Sequence, residues 1–173
     1  LTEHPGPASA GQERQPGLGW RPILVAAAAA LGVAVLGGLA TNLGDWYRQL
    51  RRPDWQPPDW VFGPAWTLIF TLTALAGLRA WRAAPSPGAK HRLLASYAVN
   101  GALNILWSVL FFTLQRPDWA LFEGAFLWAS VLVLLLASGR HDRTAGWLLA
   151  PYLAWVSFAL ALNWAILRLN PVG

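Results

Sequence analysis

The chain has no cysteine, and only 12% of its 173 residues are charged. Without cysteine there is no disulfide framework, no thiolate nucleophile and no zinc knuckle. Histidine is scarce too: His4, His91 and His141 fall in separate hydrophilic segments, whereas a metal site clusters its ligands. An ordinary globular domain carries about 25% charged residues, so the deficit is too large for a soluble surface of this size. No run of like charge occurs either. The balance is +5, but the basic residues sit singly or in pairs between apolar blocks, which argues against nucleic acid and fits the loops of a membrane protein. Also missing are a Ser-His-Asp set, an inward-facing carboxylate pair and a Gly-rich phosphate loop. No stretch carries the rows of charge that line many pores.

What is present is hydrocarbon. Of the residues, 55% are hydrophobic, and they gather into five stretches, at about residues 22–43, 60–78, 93–115, 119–139 and 144–167. Each is near the ~20 residues that cross a bilayer as a helix, and backbone groups in lipid must bond internally. The alternation of a membrane barrel is absent. The expected fold is therefore all-α, an integral membrane bundle of five transmembrane helices over residues 20–170. Residues 1–19, rich in Pro, Gly and Gln, read as a disordered tail. The first apolar run is too long for a signal h-region of roughly 7–15 residues and reads as a retained helix. Residues 44–59 form a long loop, and "APSPGAKHR" reads as a plain turn. Eight Lys and Arg (Arg14, Arg21, Arg79, Arg82, Lys90, Arg92, Arg140, Arg143) fall on the N-terminal side and five (Arg48, Arg51, Arg52, Arg116, Arg168) on the other. That asymmetry leans to a cytoplasmic N-terminus.

Residues four, seven and eleven apart share a helix face. Such stripes collect Trp66, Phe70, Thr73 and Gly77 on the second span, and Asn100, Asn104, Trp107 and Phe111 on the third. They collect Trp119, Glu123, Phe126 and Ser130 on the fourth, and Tyr152, Trp155, Ala159 and Asn163 on the fifth. The first span offers Ala34, Gly38 and Asn42. Polar groups turn away from lipid because burying them unpaired is costly, so these faces are expected to converge inside the bundle. An intramembrane Asn also serves as interhelical glue. Trp20, Trp46, Trp81 and Trp147 suit interfacial anchors, and Glu123 suits a helix N-terminus close to interfacial water. A site of Trp, Phe, Asn and Tyr with few charges fits a large, flat, apolar ligand with a few polar edges.

Three blocks then carry a family resemblance. "WYRQLRRPDWQPPDWVFGPAWT", from Trp46, closely resembles the signature of the translocator protein family, the tryptophan-rich sensory proteins also called peripheral-type benzodiazepine receptors. "ALNILWSVLFF", Ala102–Phe112, is similar to that family's third-helix block, and "PYLAWVSFALALN", Pro151–Asn163, to its fifth. The resemblance implies a five-helix membrane bundle, usually a homodimer. It also implies binding of porphyrins such as protoporphyrin IX and haem, with transport, sensing or light-dependent porphyrin degradation as the activity. By motif position, the pocket would use Trp66, Asn104, Trp107, Phe111, Trp155 and Ala159. The loop residues Trp55 and Trp60 would cover it, and the loop arginines would suit headgroups and porphyrin propionates. Trp66 and Trp155 match the two tryptophans tied to porphyrin breakdown in bacterial relatives. With Phe70 and Asn163 from the stripes, these form the candidate ligand site. No metal and no obligatory cofactor are expected. The cholesterol motif of animal members has a Tyr just after the fifth-helix Asn, and this chain has Trp164 there. Cholesterol is therefore not expected, and a bacterial-type member in a bacterial cell membrane is. The expected partners are the lipid bilayer, a second copy of the chain and a porphyrin. Small residues on the third span, Ala95, Ala98 and Ala102, suit a close helix contact in the dimer.

Overall fold

The computed structural model describes residues 20–41 and 43–170. The tail reading of residues 1–19 and the placement of Asn42 and of the Trp20 side chain lie outside the described residues. The elements are α1 (Trp20–Ala40), α2 (Asp45–Gln49), a 3₁₀ turn (Asp59–Val61), α3 (Phe62–Ala83), α4 (Pro87–Ser108), α5 (Pro117–His141) and α6 (Arg143–Leu169). The described residues contain no strand. Helices α3 to α6 are long and apolar enough to cross a membrane. Helix α1, at 21 residues, reaches about 30 Å at 1.5 Å per residue. The protein is an integral, multi-pass, all-α membrane bundle.

The helix ends follow capping rather than hydropathy. Ser86 accepts a hydrogen bond from the Ala89 N–H (3.2 Å) and Pro87 takes the first turn, where its missing N–H costs nothing. Helix α4 thus begins six residues before Leu93. Most of the segment read as a plain turn, Pro87 to Arg92, is helix, and only residues 84–86 connect α3 to α4. Between α5 and α6 a single residue suffices. Asp142 ends α5 and caps α6, accepting from the Ala145 N–H at 3.0 Å. The approach here is close. A Cβ added to Gly146 would lie 3.0 Å from the Gly139 Cα. Loop 44–59 is likewise more structured than expected, opening with α2 and closing into the 3₁₀ turn.

Around the bundle, the main helix contacts follow the closed order α1, α3, α6, α5, α4 and back to α1, and α3 also touches α4 and α5 across the middle. The tightest part lies between α3, α4, α5 and α6, where Ile69, Ala76, Leu93, Leu127, Val131 and Leu149 are buried. Leu68, Leu94, Val99, Phe122 and Leu136 are among the large apolar residues left exposed, on faces that meet lipid. Helix α4 ends in one wide π turn, Val109–Thr113. A wider turn turns less per residue, so consecutive Phe111 and Phe112 both face the interior. On the far side of that turn Gln115 takes φ 54°, the left-handed conformation that reverses the chain into α5.

Candidate functional site: an aromatic cavity under a lid

A cavity of about 880 Å³ opens between α1, α3, α4 and α6, beneath α2 and the loop that follows it. That is the upper end of the range for small-molecule sites, roughly 300–1,000 Å³. One wall is aromatic. Trp66 stacks on Phe70 with centroids 5.2 Å apart and meets Trp155 edge-on at 6.4 Å. Trp107 stacks on Phe111 at 5.1 Å, and Trp155 takes the edge of Phe62 at 5.7 Å. Such offset and edge-on pairs fix ring orientation. None of the three indole N–H groups meets an acceptor among the described residues, and that of Trp107 lies against Gly124 on α5 rather than toward the cavity. The opposite wall, α1, supplies small residues, Ala26, Ala30, Ala34, Gly37 and Gly38 among them.

Of the candidate residues, Trp66, Phe70, Asn104, Trp107, Phe111, Trp155, Ala159 and Asn163 line this one cavity. Trp55 and Trp60 do not. Trp60 is 75% exposed, and Trp55 sets its ring against Phe158 at 5.9 Å. Asn163 reaches the cavity wall, but its amide is spoken for. It donates to the Pro117 carbonyl (3.1 Å) and accepts from the Leu121 N–H (3.0 Å), securing the start of α5. No α5 residue lines the cavity. The expected convergence of Trp119, Glu123, Phe126 and Ser130 is therefore corrected. Trp119 and Phe126 face out, because the buried face of α5 runs through Ala120, Leu127 and Val131. Glu123 also differs from its expected place near water. It is 5% exposed, and neither carboxylate oxygen has a partner among the described residues.

Behind the floor runs a buried polar chain. Asn104 Nδ2 donates to the Tyr152 hydroxyl (3.2 Å), which donates to Asn100 Oδ1 (3.3 Å), and Asn100 Nδ2 donates to Ser130 Oγ (2.9 Å). Asn100 is thus glue between helices, as intramembrane Asn often is. Asn104 belongs to the same chain and also lines the cavity. Its Nδ2 is fixed by Tyr152, and its carbonyl oxygen is left without a donor at the cavity wall.

The lid is built on Asp59. Tyr47 donates its hydroxyl to Asp59 Oδ1 at 3.1 Å, and Arg52 reaches both carboxylate oxygens at 3.2 and 3.3 Å. The Arg52 guanidinium also lies 4.3 Å over the Tyr47 ring and donates to the Tyr47 carbonyl. Burial, and then the Asp59 carboxylate beside it, push the Tyr47 hydroxyl above its ordinary pKa, so it stays a donor. Sequence reasoning did not bring Tyr47, Gln56, Asp59, Phe62, Ser108 or Phe112 into the lining. The Pro-rich loop in the signature was the available signal for the first three.

Residues 24–169 match the TspO/MBR family. The chain belongs to that family. It is 37% identical to the tryptophan-rich protein TspO of Chlorobaculum tepidum, over 73% of this chain and 80% of that one. It is 37% identical to the tryptophan-rich sensory protein of Cereibacter sphaeroides, over 82% and 87%. It is 31% identical to the translocator protein of Homo sapiens, over 72% and 75%. The TspO/MBR match embraces every helix that walls the cavity, so the aromatic cavity and its lid lie within the family's shared region.

Proposed function

We propose that this TspO/MBR protein is a membrane receptor or carrier that holds porphyrins, such as protoporphyrin IX and haem, and similar flat apolar ligands in the cavity between α1, α3, α4 and α6. The role fits tetrapyrrole regulation or transport in a cell membrane. The observation that carries the reading is the wall of Trp66, Phe70, Trp107, Phe111 and Trp155 around one space of about 880 Å³. A macrocycle entering it exchanges water or lipid for stacked indole faces. Protoporphyrin is expected to quench the tryptophan fluorescence of purified protein. In a Trp66→Ala/Trp155→Ala variant, quenching equal to the parent's would reject the pocket. A sterol is expected not to displace the porphyrin, since Trp164 stands at the motif's Tyr position and faces outward.

A second reading rests on the edge-on pair of Trp66 and Trp155 at 6.4 Å. Both indoles would face a bound porphyrin that makes singlet oxygen under light. Catalytic breakdown predicts many equivalents of porphyrin consumed per protein with light and oxygen supplied. Consumption that stops near one equivalent, with loss of indole absorbance, leaves the binding role alone. The protein is further proposed to work as a homodimer through the outer face of α4, where Ala95, Ala98 and Ala102 are exposed. Cross-linking in lipid discs that recovers only monomer refutes that assembly.

A further inference from the structure

We propose that the end of the bundle opposite the lid is a docking surface for anionic lipid, which meets lipid phosphate groups with arginines that the chain's own acids leave unpaired. The proposal does not depend on what the cavity holds. No run of basic residues exists in the sequence, but the fold gathers scattered ones. Arg82 comes from the last turn of α3, Lys90 and Arg92 from the first two turns of α4, Arg140 from the end of α5 and Arg143 from the start of α6. Residues 84–86 join α3 to α4, Asp142 alone joins α5 to α6, and Arg79 bonds Asp142 at 3.0 Å, so these four helix ends meet. Among the described residues, six Lys and Arg stand there against one acid, Asp142, whereas the lid end has five against four. That single acid is already engaged: it pairs with Arg79 and caps α6 through the Ala145 N–H. Arg82, Arg92, Arg140 and Arg143 are exposed, and none pairs with a carboxylate of the described residues. At the lid end the reverse holds. Arg48 pairs with Asp45, Arg52 with Asp59 and Arg116 with Asp118. The two ends therefore differ in compensation more than in number of cations.

Neighbouring side chains set the depth of these charges. Trp147 is 69% exposed and lies four residues beyond Arg143 on α6, on the same face. Lys90 Nζ sits 5.5 Å from the centre of the Trp81 ring. Tryptophan settles at headgroup level, and long basic side chains beside it carry their heads to the same layer. On α5, Leu136 is exposed four residues before Arg140. Each pair thus sets a guanidinium outermost and an apolar side chain one turn deeper, the order of a phosphate and its acyl chain. The guanidinium fork bonds phosphate oxygens two at a time. A zwitterionic lipid brings its own cation beside the phosphate, and an anionic one does not, so the anionic lipid is favoured. A soluble phosphate offers the same oxygens but nothing to seat against Trp147 and Leu136.

Native mass spectrometry of the full chain from micelles holding equal parts of phosphatidylglycerol and phosphatidylcholine tests the proposal. Wild-type protein is expected to retain the anionic lipid over the zwitterionic one by about fivefold or more, the effect of one basic side chain at an anionic surface. Arg82→Gln/Arg92→Gln and Arg140→Gln/Arg143→Gln are each expected to lower that ratio, and the four changes together to bring it close to one. Arg48→Gln/Arg168→Gln, at the lid end, should leave it unchanged. A salt titration of wild-type protein needs no variant to fold. These guanidinium groups are exposed, so sodium chloride should erase the preference. Equal retention of the two lipids by wild-type protein overturns the proposal. So does a preference that survives the substitutions or the salt, or one that the lid-end variant loses equally. Inorganic phosphate, added at the concentration of the anionic lipid, should not displace it, and full displacement would overturn the assignment to lipid.

Discussion

The side chain of Asn170 holds both backbone polar groups of Arg51. The Arg51 N–H donates to Asn170 Oδ1 at 2.9 Å, and Asn170 Nδ2 donates to the Arg51 carbonyl at 2.8 Å. Positions 119 residues apart are paired as neighbouring strands would be, with one side-chain amide standing in for a peptide. The clasp ties the lid to the last turn of α6.

Asn170→Ala is therefore expected to free the lid without unfolding the bundle. Two hydrogen bonds at about 0.5–1.5 kcal/mol each correspond to a rise in local opening of roughly fivefold to a hundredfold. Hydrogen exchange should accelerate over residues 50–59 and stay unchanged in α5, and ligand should dissociate faster. Equal exchange in the two proteins would show that the Arg52–Asp59 contact alone keeps the lid down.

Tyr152→Phe removes the hydroxyl that serves Asn100 and Asn104 together. It leaves a buried acceptor on one and a buried donor on the other, at about 1–3 kcal/mol in all. The unfolding midpoint in detergent should fall, and ligand affinity should fall with it because Asn104 loses its orientation. Ser130→Ala, at the end of the chain, should lower the midpoint and spare affinity.

Glycines on different helices should answer alanine substitution in opposite ways. Gly146→Ala drives a methyl against the Gly139 Cα and the Leu135 carbonyl oxygen, at 3.0 and 3.3 Å. Separating α5 from α6 should cost about 1–3 kcal/mol. Gly32→Ala meets nothing within 4 Å and should leave the midpoint equal or higher, since alanine favours helix by about 1 kcal/mol. Thermal unfolding of the two variants side by side distinguishes them.

Acid should weaken the turn between α5 and α6. The Ala145 N–H, and then Arg79 at 3.0 Å, hold the Asp142 carboxyl below its ordinary pKa. A group depressed in the folded state stabilises above its unfolded value of about 3.9 and loses that contribution as pH falls through the lower folded value. Wild-type unfolding midpoints should drop over that window. Asp142→Asn should start lower and show a flatter acid limb, and parallel curves would exclude this contribution.

The spans and the aromatic wall were legible because both leave periodic, strongly coloured marks. Runs without charge announce lipid, and within single spans Trp66 and Phe70, Asn104 and Trp107, and Trp155 and Ala159 recur at helical spacing. Three things were less legible. Helix α4 extends back to Pro87 because Ser86 caps it there, and hydropathy is blind to a cap. Trp119 and Phe126 satisfied the same spacing as the cavity residues yet face outward, because in a bilayer an aromatic ring is at home on either side of a helix. On α1 only Ala34, Gly38 and Asn42 had been singled out. Ala26, Ala30 and Gly37 have side chains too small to mark a face, so most of that wall went unseen.

That plain wall matters for how the site changes. Among its described lining residues α1 offers nothing larger than leucine, so the width of the cavity is set there by omission, while chemical character is set across from it by indoles. The two properties can then vary independently. A methyl gained at Ala30 or Ala34 trims the largest guest admitted and leaves stacking untouched, and a ring lost at Trp66 does the reverse. Relatives that keep an identical tryptophan wall can therefore accept guests of quite different girth.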